Sequence, residues 1–132
     1  MDEYTVKVHE NRTEWYIEGK KHREGGPAVE WNDGDKWWYI EGKKHREDGP
    51  AVEHSSGYKA WYIEGKLHRE DGPAIEFSNG DKEWHIEGVN YTEEEFNKKI
   101  NTKVSTKTIV IDGKEIGISL ESFEELKKSL NS

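Results

Sequence analysis

Residues 28–50 read Ala28-Val29-Glu30-Trp31-Asn32-Asp33-Gly34-Asp35-Lys36-Trp37-Trp38-Tyr39-Ile40-Glu41-Gly42-Lys43-Lys44-His45-Arg46-Glu47-Asp48-Gly49-Pro50. Two short runs, 28–31 and 36–40, are rich in aromatic and β-branched residues, and between them lies Asp33-Gly34, a dipeptide that favours a type I′ hairpin turn. A two-residue turn there pairs Trp31 with Lys36, Glu30 with Trp37, Val29 with Trp38 and Ala28 with Tyr39. Directly paired residues share a face of the sheet. This register therefore predicts one face carrying Val29, Trp31, Trp38 and Ile40, and an opposite face carrying Ala28, Glu30, Trp37 and Tyr39.

The stretch is one turn of a repeat. Trp15 returns as Trp38, Trp61 and Trp84, a period of 23 residues, with Ile17, Ile40, Ile63 and Ile86 two places behind. Gly19, Gly42, Gly65 and Gly88 follow at the same spacing. His22-Arg23-Glu24, His45-Arg46-Glu47 and His68-Arg69-Glu70 come next, each leading to Gly-Pro-Ala. Moving back one period aligns residues 5–8 with the first strand of a unit and sets Val6 opposite Trp15. The expected architecture is mainly β: a single-layer array of four hairpins over residues 1–91, opening with a half-repeat over 1–14. Its turns fall at Glu10-Asn11, Asp33-Gly34, Ser56-Gly57 and Asn79-Gly80. One such hairpin is marginal in water, whereas stacked neighbours bury a continuous apolar face.

After Gly88 the repeat stops. Thr92-Glu93-Glu94-Glu95 reads as a capping box that opens a short helix carrying Phe96 and Ile100. Residues 101–107 read as a polar link. A further hairpin turning at Asp112-Gly113 follows, and then a helix with Leu120, Phe123, Leu126 and Leu130 on one stripe. Residues 92–132 are thus expected to form a small α+β module that caps the array.

Only 31% of the 132 residues are apolar, but there are 6 Trp, 6 Tyr and 3 Phe. Each large ring removes roughly 150–250 Å² from water, at most about 4–6 kcal/mol of burial, so a thin core resting on aromatics is feasible. The net charge is −8. Up to Gly88 there are 13 basic and 20 acidic residues, and after it 7 and 8. An acidic array argues against direct nucleic-acid binding and against anionic membranes. There is no Cys, which excludes disulfides and thiolate metal sites. The absence of a long apolar run or a signal-peptide pattern makes a cytoplasmic protein the expectation.

Three sets of residues are candidates for function. His22, His45 and His68 recur two strand spacings apart, roughly 10 Å, too far for one metal ion to span. A structural role, in a turn hydrogen bond or beside the Trp row, is expected for them. Arg23, Arg46 and Arg69, together with these His residues, could hold an anion, since a guanidinium fork grips carboxylate or phosphate. Alternatively each Arg pairs with a neighbouring Glu or lies across a ring. The Trp and Ile ladder reads as core. The varying column Glu14, Trp37, Ala60, Glu83 and its neighbour Tyr16, Tyr39, Tyr62, His85 read as an aromatic patch on the opposite face, within an acidic surround. Tyr16, Trp37, Tyr39 and Tyr62 are accordingly the candidate partner-binding residues. No nucleophile with a base, phosphate loop or singular carboxylate pair is present, so the reading is non-enzymatic, with no cofactor and no metal.

The string Trp38-Tyr39-Ile40-Glu41-Gly42-Lys43-Lys44-His45, with its Asp-Gly or Asn-Gly turn every 23 residues, resembles the MORN repeat. The fuller unit, Trp-Tyr-x-x-Gly-Lys-x-His-Arg-x-Asp-Gly-Pro-Ala, is similar to a divergent MORN-like type found in bacteriophage and giant-virus proteins. The resemblance spans roughly residues 5–91. It departs from ordinary MORN units in placing Arg23, Arg46 and Arg69 where a Gly follows the His. It implies a hairpin array serving as a scaffold or partner-binding surface, and a phage origin implies an inhibitor of a bacterial host defence protein, acting in the host cytoplasm. The acidic charge points to a partner with a basic surface, and exposed edge strands allow a homodimer. The alternative function is sequestration of a nucleotide or phosphorylated small molecule by the Arg and aromatic side chains.

Overall fold

The computed structural model of the chain describes residues 3–104, 106–119, 125 and 127–129. It is mainly β, an antiparallel sheet of many short strands with a short helix. Two compact units are present, Met1–Glu93 and Glu94–Ser132.

In the first unit a continuous antiparallel path runs through Tyr4–Val8, Arg12–Ile17, Val29–Trp31, Lys36–Trp37, Val52–Glu53, Lys59–Ala60, Ile75–Glu76, Lys82–Ile86 and Val89–Tyr91. The first hairpin has the expected register: Val6 lies opposite Trp15 and Val8 opposite Thr13, around Glu10-Asn11.

The later hairpins differ by one residue. Val29 pairs with Trp37 and Glu30 with Lys36, not Val29 with Trp38 and Glu30 with Trp37. The turn is a three-residue loop, Asn32-Asp33-Gly34. The Gly34 N–H donates to the Trp31 carbonyl at 3.0 Å, and the Trp31 N–H donates to the Asp35 carbonyl at 2.9 Å. Gly34 has φ +105°, a conformation that a side chain resists, whereas Asp33 does not enter the left-handed region. This is the turn-plus-bulge solution to a three-residue hairpin. Gly57 and Gly80 repeat it at +106° and +96°.

Because side chains alternate with period two, a slip of one residue exchanges the faces of one strand relative to its neighbour. Glu14, Val29, Trp37, Val52, Ala60, Ile75 and Glu83 now pair side by side across the sheet. The adjacent row, on the other face, reads Thr13, Glu30, Lys36, Glu53, Lys59, Glu76 and Lys82. Opposite charges alternate along it, which stabilises antiparallel pairing.

A second series of turns occurs at the recurring Gly19, Gly42, Gly65 and Gly88. Ile17 pairs with Lys20, Ile40 with Lys43, Ile63 with Lys66 and Ile86 with Val89. The two residues between them have positive φ throughout, from Glu18 at 50° and Gly19 at 77° to Glu87 at 49° and Gly88 at 84°. These Glu-Gly pairs are type I′ turns. Successive turns are bonded together: the Gly42, Gly65 and Gly88 N–H groups each donate at 2.8 Å to Lys21, Lys44 and Leu67 carbonyls of the preceding unit.

The most buried side chains are small. Ala28, Ala51, Ala60 and Ala74 are fully buried, with Val29, Val52 and Ile75 close behind. Val52, Ala60 and Ile75 make a cluster against which Trp37, Tyr58, Tyr62, Leu67 and Phe77 pack. The Trp15, Trp38, Trp61 and Trp84 ladder, expected to be the core, is only half-buried. The one-residue slip places it on the other face.

In the second unit the helix α1 spans Glu93–Val104, beginning where the capping box placed it. It runs through most of the stretch read as a polar link. Thr106–Ile111 and Lys114–Ser119 form the expected hairpin, turning at Asp112-Gly113 with φ of 50° and 79°. The apolar positions of the final helix, Leu120, Phe123, Leu126 and Leu130, lie outside the described residues.

Candidate functional site

The sheet offers two faces of different chemistry. The first carries a chain of rings. Trp31 meets Trp37 edge-on with centroids 5.8 Å apart, Trp37 lies 6.4 Å from His54, His54 is 5.2 Å from Tyr58, and Tyr58 is 5.6 Å from Phe77. Offset and edge-to-face contacts of this kind are the favoured ring geometry. All five rings are half-buried. Trp37, Val52, His54, Tyr58 and Tyr62 line an open groove of about 430 Å³, with Lys44 at its margin.

Trp37 therefore does not lie opposite the core, as the two-residue turn implied. It sits upon it, paired with Val29 on one side and Val52 on the other. Tyr62 packs on the same cluster. Burial pushes the Tyr39, Tyr58 and Tyr62 phenols above their ordinary pKa, since a phenolate is harder to desolvate than a phenol. Tyr16 is tied elsewhere: its hydroxyl donates to Glu14 at 2.9 Å. Cations also lie at the rings themselves. Lys7 lies 4.5 Å from the Tyr16 ring, Lys21 5.3 Å from Tyr39, Lys44 5.1 Å from Tyr62 and Arg12 5.1 Å from Trp31.

Trp31, His54 and Phe77 are members of this face that the residue pattern did not single out. They occupy one column of the repeat, 23 residues apart. An aromatic or imidazole ring at every unit of a varying column was the available signal. It was obscured because the assumed register grouped Trp31 with the Trp38 ladder.

The second face carries the loops that follow each His. The Arg46 guanidinium lies 3.9 Å from the Trp38 ring centroid. Its Nη1 donates to the Pro50 carbonyl at 3.0 Å and to Glu53 at 3.3 Å, and its Nε donates to Asp48 at 3.0 Å. Arg69 repeats this on Trp61 at 3.9 Å, with Pro73 at 3.1 Å and Asp71 at 2.8 Å. Arg23 lies 3.8 Å from Trp15 and bonds Pro27 and Glu30. A Cβ on Gly49 or Gly72 would fall 2.9 Å from the guanidinium carbon, and on Gly26 3.0 Å. The Gly of each Gly-Pro-Ala thus leaves room for a planar cation held between backbone and indole. These Arg residues pair with Glu and lie across rings, which leaves them poorly placed to grip an outside anion.

His22, His45 and His68 bind the units together. The N–H groups of Glu41, Glu64 and Glu87 donate to His Nδ1 of the preceding unit at 2.9, 3.0 and 2.9 Å. Nδ1 must therefore be unprotonated. Nε2 faces Glu24 and Glu47, each at 3.6 Å, in the first two units. Among the described residues no group of three His, Asp or Glu could hold a metal ion, and no helix is long and apolar enough to cross a membrane.

No family model, curated protein or solved structure matches the chain.

Proposed function

We propose that the chain is a non-enzymatic, MORN-like repeat module that binds another protein through the aromatic face of a four-hairpin array. The observation that carries this reading is the half-buried chain of rings from Trp31 to Phe77 around an open groove. Clustered aromatics around a pocket are the usual anchors of protein interfaces. A structural layer alone would bury the rings more deeply. The net charge of −8 steers a partner with a basic surface by long-range attraction, while the rings supply contact. The resemblance to phage repeats favours a bacterial host defence protein as that partner, with the chain acting as an inhibitor in the host cytoplasm.

The test is affinity capture from a bacterial lysate with the wild-type chain and a Tyr58→Ala/Tyr62→Ala variant of unchanged circular dichroism. The expected result is one host protein retained by wild type and lost from the variant. Equal capture by both, or capture by neither, contradicts the reading.

A further inference from the structure

We propose that the face opposite the rings carries a second binding site, a pair of equivalent grooves that take basic side chains from an extended, polyproline-type segment of a partner. The first groove, about 660 Å³, has Trp38, Ile40 and His45 in its lining, with Glu24, Glu47 and Asp48 against Arg23 and Arg46. The second, about 710 Å³, has Trp61 and Ile63 in its lining and Glu47, Asp48, Glu70 and Asp71 about it. They are one groove shifted by one repeat.

Charge selects the ligand. The second groove is lined by two Arg and four carboxylates. Arg46 is already committed to Asp48 and Glu53, and Arg69 to Asp71 and Glu76. Asp48 and Asp71 hold Arg46 and Arg69, and Glu47 lies 3.6 Å from His45 Nε2, but the three side chains are 87%, 85% and 84% exposed, so each keeps solvated oxygen positions for an incoming cation. Arg46 and Arg69 already lie over the Trp38 and Trp61 rings; an aliphatic stem along the Ile and the part of the indole left in the groove, ending in a cation among carboxylates, describes a Lys or Arg side chain. An anion would meet the carboxylates first.

Spacing selects the backbone. Equivalent points of adjacent units lie two strand spacings apart, roughly 10 Å. A polyproline II helix turns once in three residues at about 3.1 Å each, so residues i and i+3 point the same way about 9.3 Å apart. A β-strand alternates sides and cannot present every third residue to one surface.

The site is independent of the aromatic face, and the experiment separates the two. A labelled Arg-Pro-Pro repeat peptide is titrated into the full chain at low ionic strength and followed by fluorescence anisotropy. A peptide with the same composition but Arg at every second position within its basic stretch, and a Glu-Pro-Pro peptide, serve as comparisons. We expect saturable binding of the Arg-Pro-Pro peptide, weaker binding of the respaced one and none of the acidic one. Glu47→Gln/Glu70→Gln, which leaves the Arg–Asp pairs intact, weakens binding by about fivefold or more, and Tyr58→Ala/Tyr62→Ala leaves it unchanged. Absence of binding, equal binding of the respaced peptide, or indifference to the Gln substitutions overturns the proposal. None of these results bears on capture through the rings.

Discussion

Glu14 and Glu83 flank the apolar run Val29, Trp37, Val52, Ala60 and Ile75 across the sheet, with Lys7 beyond Glu14. Each carboxylate has a histidine beside it, His9 at 2.6 Å from Glu14 and His85 at 3.0 Å from Glu83. Glu14 is buried. Burial alone raises its pKa, but the Tyr16 hydroxyl, His9 and Arg12 outweigh it and hold the carboxyl below its ordinary value. A carboxyl depressed in the folded state contributes stability that is present above its unfolded value and is lost as pH falls through its folded value. Glu14→Gln is therefore expected to cost roughly 1–3 kcal/mol near neutrality, with the gap to wild type closing on acidification below the ordinary carboxylate range. Thermal melts of both proteins across that range check it, and a gap that is constant or widens in acid contradicts it. The residue pattern marked Glu14 only as a member of a varying column. Its partners lie in the first hairpin, Arg12 and Tyr16 two places away on the same strand and His9 beside the turn, so the cluster was within reach of the expected register and was not read from it.

Among elements, the Glu-Gly turns are unusual in placing Glu at a left-handed backbone position four times, with φ between 48° and 50°. Asn or Gly is the cheaper choice there. Glu64→Asn keeps the N–H that donates to His45 and removes the strain. It should raise stability by roughly 0.5–1 kcal/mol and shift the melting temperature upward. An unchanged or lower melting temperature contradicts the type I′ assignment.

The repeat, the strands and the positions of both Gly turns were legible at this scale, because periodic spacing and Gly carry them directly. The choice between a two-residue and a three-residue loop was not. Gly34 serves either as the second residue of a type I′ turn or as the bulge that ends a longer one, and the flanking residues are compatible with both. The first hairpin, which lacks Gly in its turn, adopts the two-residue form. The structural role of His22, His45 and His68 was legible from their spacing, although their Nδ1 partners in the next unit were not.

For the whole molecule, that single residue decides which side chains share a face. Of the aromatic residues grouped from the repeat columns, Trp37 and Tyr62 line one groove on the face of the Val52, Ala60 and Ile75 core, joined by Trp31, His54 and Phe77. The Trp38 ladder and its Arg loops move to the other face, where they line the paired grooves. Both proposed binding surfaces follow from this division. The most direct measurement is the network of nuclear Overhauser contacts around the Trp37 indole in solution. The expected contacts are to the Val29 and Val52 methyls and to the Trp31 and His54 rings. Contacts to the Glu30 and Glu53 side chains in their place would return the hairpins to the two-residue register and remove the aromatic face.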